Sequence, residues 1–177
     1  MAKSDQKGNI GQGGSRPLLT IPVSKMEWLI EVFTVVLLLI TLAIVVTFWN
    51  KLPASIPIHF GADGKSNNFA PQTIIGYLTG FNTALYGLLT FSSFFPHTFN
   101  YIWKITEENA ARQYLLARQF LRVTKLEVTV LTFFATWTCI QIAIDPSRNV
   151  DSGDLITLVW VLVLTVLLYL WRSYMAR

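Results

Sequence analysis

Four long apolar runs, at 29–48, 74–95, 126–144 and 155–171, alternate with segments that hold most of the charges, prolines and asparagines. A helix needs about 20 residues at about 1.5 Å each to cross a hydrocarbon core of roughly 30 Å. The last run is the shortest and carries no charge, so it spans with little tilt. An open sheet would leave backbone groups unpaired in lipid. All four runs are therefore predicted as transmembrane helices, and the fold class as an all-α membrane protein.

Two connecting segments have a pattern of their own. From Thr106 to Ile144 no Gly or Pro interrupts the chain, which predicts one long third helix whose first half, 106–125, lies in the cytoplasm or along the inner surface. Thr106 is an N-cap type of residue, Glu107 and Glu108 suit the positive end of a helix, and Glu108 and Arg112 have the spacing of a favourable pair. In the stretch 49–72, Pro53 and Pro57 remove backbone donors and restrict the residues before them, favouring an extended chain over 52–60. Gly61 and Asp63-Gly64 then supply turn chemistry. With Ile56, Ile58 and Phe60 alternating outward and inward, this segment is predicted as a short extended cap over the helices. Residues 1–25, rich in Gly, Ser, Gln and Lys, read as a flexible tail. The apolar run that follows is too long for a signal-peptide core and shows no small-x-small cleavage site, so it reads as an uncleaved anchor. The domain division is a tail, 1–25, and one four-helix domain, 26–177.

Composition fits a bilayer: 53% of the residues are hydrophobic and only 14% charged, against about a quarter charged in soluble domains. With the N-terminus inside, Lys3, Lys7, Arg16, Lys25, Lys104, Arg112, Arg118, Arg122, Lys125, Arg172 and Arg177 lie on the inner side, and only Lys51, Lys65 and Arg148 outside. Eleven against three predicts cytoplasmic termini by the positive-inside rule. Trp28 and Trp49 bracket the first helix, Trp103 lies near the inner face, and Trp171 and Tyr174 close the last helix, as interfacial aromatics do. The net charge of +4 then favours anionic headgroups and not nucleic acid.

Candidate chemistry is sparse. The single cysteine, Cys139, excludes an intramolecular disulfide and a cysteine metal cluster. It falls on a stripe, Thr129, Thr132, Thr136, Cys139 and Ala143, that reads as a packing face. Gly76, Gly80, Ala84 and Gly87 form a second small-residue stripe, which predicts that the second helix packs at the centre of the bundle; a homodimer seam would carry the same pattern. Asn82 is expected to find a partner across a helix interface. Glu31, Lys125 and Glu127 lie at the inner membrane edge, where a Glu31–Lys125 ion pair is available and a cation or proton site between the two carboxylates is the functional alternative. Arg118, Arg122 and Lys125 form a basic stripe, expected to touch lipid phosphates or to dock a membrane or soluble protein partner. His59 is the only outer histidine; with Asp63 alone beside it, it falls short of the three or four ligands of a metal site. No nucleophile with an adjacent base, phosphate loop or paired carboxylates in a cleft is present, so neither an enzyme nor a cofactor is expected.

The series Leu52-Pro53-x-x-Ile56-Pro57-x-His59-Phe60, followed by Gly64, resembles the signature of the domain-of-unknown-function 1648 family, bacterial multi-spanning proteins that include SdpI-like immunity proteins. Its place after a first membrane helix matches too, and the segment from Asn100-Tyr101 through Lys104–Ala110 to Arg112-Gln113-Tyr114 resembles the inner connection of small members. After Gly64 the chain departs from the family, with Asn67, Asn68, Phe69 and Pro71 where an acidic residue, a tryptophan and a lysine are frequent. The resemblance implies a bacterial plasma-membrane protein with an immunity or signalling role, in which Leu52, Pro53, Ile56, Pro57, His59, Phe60 and Gly64 form a recognition loop for an extracytoplasmic peptide or toxin. A structural or accessory subunit of a larger membrane complex is the alternative from a different class.

Overall fold

The computed structural model describes residues 16–61, 66–148 and 152–177. Four helices in it are long and apolar enough to cross a membrane. They are α1 (Lys25–Phe48), α2 (Thr73–Ser92), α3 (Ala110–Ile144) and α4 (Ser152–Met175). Between α1 and α2 the chain forms an antiparallel hairpin of β1 (Ser55–Phe60) and β2 (Ser66–Pro71). The fold is thus mostly helical, and the extended cap is a two-stranded sheet in an otherwise all-α frame.

Local sequence sets the helix ends. Ser24 caps α1: its Oγ accepts from the Glu27 amide at 3.2 Å, and the Glu27 carboxylate accepts from the Ser24 amide at 2.8 Å. This reciprocal capping box starts α1 four residues before the apolar run does. α2 stops at Ser92, because Pro96 disfavours helical geometry at the residue before it. α3 is one continuous helix of 35 residues, but it starts at Ala110 and not at Thr106. The reason is Asn109, whose Oδ1 accepts from the Thr106 amide at 2.9 Å and whose Nδ2 donates to the Lys104 carbonyl at 3.0 Å, closing a turn ahead of the helix. Glu107 and Glu108 therefore lie outside the first helical turn, and no Glu108–Arg112 ion pair forms among the described residues.

α3 is the centre of the bundle, in contact with α1, α2 and α4. Its polar stripe is responsible: Thr129, Thr132 and Thr136 are buried, and their short side chains let neighbouring helices approach. Asn82 on α2 reaches across to Thr129 at 3.5 Å. The expectation that α2 occupies the centre is corrected. Among the described residues, a Cβ at Gly76 would meet the Trp49 ring at 3.6 Å, a Cβ at Gly80 or Gly87 would meet nothing within 4 Å, and Ala84 is exposed. Glycines permit a close approach but do not supply the partner. The buried, hydrogen-bonding groups of α2 (Ile75, Thr79 and Asn82) lie on a different face and orient it.

At the end of the bundle away from the hairpin, Gln113 Nε2 donates to the Ser173 carbonyl at 2.8 Å. Residues 113–125 consequently run beside α1 and α4 instead of standing clear as a free extension. Residues 16–24 are extended, and Arg16 donates to the carbonyls of His97 and Phe99. This part of the expected tail is pinned to the α2–α3 connection, while Lys3, Lys7 and the rest of 1–15 lie outside the described residues. Tyr101 packs against Tyr114 in the same region, and burial holds its phenol above its ordinary pKa.

Candidate functional site

The hairpin is seated by its first strand. Ile56 is 0% exposed and packs in one cluster with Val45 of α1, Leu52, Ile75 of α2 and Ile140 of α3. Burying such a side chain contributes about 1.5–3 kcal/mol, so this residue alone ties the cap to three helices. The Gln72 amide also donates to the Ala54 carbonyl at 3.1 Å, joining the strand ends. The ladder pairs Ile56 with Ala70 and Pro57 with Phe69, then slips between Pro57 and His59. A proline cannot donate to a ladder, and an irregularity beside one is the ordinary result.

The slip decides which side chains are displayed. Strict alternation would place Ile58 on the buried face with Ile56, yet Ile58 is exposed. Beside it stand His59, whose Nδ1 lies 2.6 Å from Asn67 Oδ1, and Phe69, which is 56% exposed. Among the expected recognition residues, Leu52, Ile56 and Pro57 are thus buried anchors, while Pro53 and His59 are exposed. Phe60 closes the ladder opposite Ser66. Gly64 lies outside the described residues, as do Asp63 and Lys65. Among the described residues no group of three or more His, Cys, Asp or Glu is arranged to hold a metal ion.

The second arrangement is a buried ionic cluster at the far end. Glu27, 3% exposed, accepts from Arg118 Nε at 2.8 Å and Arg118 Nη2 at 3.2 Å. Arg118 also donates to the carbonyls of Ile21 and Pro22 at 2.7 and 2.9 Å. About two turns further along α3, Lys125 Nζ donates to both Glu31 oxygens at 2.8 and 2.9 Å and to Thr90 Oγ1 at 2.7 Å. Tyr86 donates to Glu31 at 2.5 Å and lays its ring 4.7 Å from Lys125 Nζ. Arg122 stands between the pairs, with Nη1 3.0 Å from Glu27 and Nε 3.8 Å from Glu31. Neither atom makes a hydrogen bond.

The structure therefore turns the basic stripe of α3 inward. Arg118 and Lys125 are buried against α1 carboxylates, and they offer no face to a soluble partner. Charges near lipid are costly unless paired, and Glu27 and Glu31, four residues apart, match Arg118, Arg122 and Lys125 turn for turn. Glu31 and Glu127 are not brought together: Glu127 points to α4, where it accepts from Thr165 at 2.5 Å. Glu27, Tyr86 and Thr90 are the members that the apolar pattern alone does not reveal. The Ser24-x-x-Glu27 capping signature is the signal for the first.

One comparison with known proteins bears on this arrangement. Residues 36–79 match the family model described as a domain of unknown function, DUF1648. The DUF1648 segment takes in the hairpin, most of its apolar seat in α1 and α2, and none of the ionic cluster's charged residues. No curated protein and no solved structure matches the chain.

Proposed function

We propose that the protein is a receptor-like, non-enzymatic member of the bacterial plasma membrane that senses an extracytoplasmic peptide or toxin through its hairpin, in an immunity or signalling role like that of SdpI-like proteins. Both termini are cytoplasmic in this reading, in line with the excess of Lys and Arg at the end of the bundle away from the hairpin. The observation that carries it is the division of labour within the hairpin. Ile56 is locked among residues of three helices, whereas Ile58, His59 and Phe69 are exposed. A ligand that binds this face better in one arrangement of the hairpin than in another biases the packing of α1, α2 and α3 together. Cells lacking the gene are expected to become sensitive to a membrane-active peptide, to be rescued by the intact chain, and not to be rescued by a chain carrying Ile58→Ser with Phe69→Ser. Unchanged sensitivity of the deleted strain across a panel of such peptides overturns this function.

A second reading, an accessory subunit of a larger membrane complex, is favoured by the open face of α2, where a Cβ at Gly80 or Gly87 would meet nothing within 4 Å among the described residues and Ala84 is exposed. Purification in mild detergent that returns this chain alone overturns it. A homodimer across that face would appear in the same experiment as a doubled mass.

A further inference from the structure

Between α1 and α4, floored by α3, runs a groove of about 280 Å³. Arg122, Arg172 and Glu27 line it, and its walls are mostly apolar, with Met26 and Ile30 from α1, Phe120 from α3 and Leu168 from α4. From Arg172 down to Thr165, which also lines it, α4 descends two turns, about 10 Å. The groove therefore begins near the end of the helix, at the depth of headgroups, and continues into the hydrocarbon region. Met26 and Leu168 are exposed, so it opens sideways to the bilayer.

Charge separates this groove from an ordinary lipid-facing crevice. Arg118, Arg122, Lys125 and Arg172 stand against Glu27, Glu31 and Glu127, four cations to three carboxylates. Arg118 and Lys125 are fully engaged, Arg122 is in ion-pair reach of Glu27, which also lines the groove, and Arg172 is the cation left over. Arg122 keeps Nε and Nη1 buried without a hydrogen bond, and Arg172 makes no ion pair among the described residues. The guanidinium of Arg172, without an ion pair among the described residues, beside that of Arg122 and above an apolar channel, is complementary to one occupant: a phosphate headgroup that drags an acyl chain behind it. Guanidinium is suited to phosphate by its planar, bidentate donors, and basic clefts between membrane helices hold anionic lipids in this way.

We propose that the α1–α3–α4 groove is a binding site for one anionic phospholipid of the surrounding bilayer, with the phosphate between Arg122 and Arg172 and an acyl chain along Met26, Ile30 and Leu168. The site is independent of what the hairpin recognises. Native mass spectrometry of the full chain, titrated in detergent with phosphatidylglycerol, phosphatidylcholine or inorganic phosphate, tests it. The expected result is a single phosphatidylglycerol adduct, weakened about fivefold by Arg172→Gln and lost in Leu168→Trp, which fills the groove without changing charge. Arg112→Gln, at the same end but off this groove, should leave the adduct unchanged. Equal binding of the two lipids, equal weakening by Arg112→Gln, or an Arg172→Gln chain that binds like the original overturns the site. Phosphate that displaces the lipid at millimolar concentration overturns the lipid as its occupant.

Discussion

Lys125→Met offers the sharpest test of the ionic cluster. Lys125 Nζ, in a residue 2% exposed, sits 2.8 Å from Glu31 Oε1. At an effective dielectric constant of about 20, that separation gives a gross attraction of about 6 kcal/mol. Desolvation of the two ions consumes most of it, so the pair as a whole contributes little net stability. Removing one member is a different matter, because the other is left charged, and the usual cost is about 3–5 kcal/mol. Lys125→Met and Glu31→Gln should each cost that much. The double variant should cost about as much as one single variant, since Tyr86, Thr90 and the amide introduced by Glu31→Gln can still bond one another without a buried charge. The coupling energy from the four-way cycle, measured by reversible unfolding in bicelles, is expected above about 1.7 kcal/mol, the top of the range for hydrogen bonds between membrane helices. A coupling at their average of about 0.6 kcal/mol would reduce the contact to an ordinary polar one.

Three further outcomes can be read by the same unfolding assay. Ile56→Ala should destabilise the protein by about 2–5 kcal/mol, because its site is closed on all sides, whereas Ile58→Ala should stay within about 0.5 kcal/mol; equal costs would contradict the anchored hairpin. Ser24→Ala should cost about 1 kcal/mol by removing the α1 cap, and a neutral result would mean that the Ser24 hydroxyl adds nothing to the hold of Arg118 and Arg122 on Glu27. Gly80→Ala should stabilise the monomer by up to about 1 kcal/mol through helix propensity, since nothing obstructs the new methyl; a loss of stability that depends on protein concentration would place a second copy on that face.

The apolar runs were legible because lipid makes one simple demand, and all four became helices. The extended cap was legible from Pro53 and Pro57, which disfavour a helix there, but its second strand was not: Ser66 to Pro71 carries Asn67, Asn68 and Pro71, poor strand formers, and its pairing depends on the seat that Ile56 finds. The stripes were legible as patterns and misleading as placements. Spacing shows that Gly76, Gly80, Ala84 and Gly87 share a face, not that anything fills it. Thr129, Thr132 and Thr136 carry hydroxyls as well as small size, and that face did become central. For the same reason Arg118, Arg122 and Lys125 could be seen as a row but not assigned a direction. The deciding partner, Glu27, is 91 residues away in the chain, beyond the reach of any local pattern.

The proposed sensor role requires the hairpin to face outward and the ionic cluster to face the cytoplasm. With the single cysteine replaced by Cys139→Ala, new cysteines at Phe69→Cys and Arg112→Cys mark the two ends. A membrane-impermeant maleimide applied to intact cells should label the Phe69→Cys chain at once and the Arg112→Cys chain only after permeabilisation. Labelling of the Arg112→Cys chain in intact cells, with the Phe69→Cys chain protected, would contradict the orientation and with it the hairpin's role as an extracytoplasmic sensor.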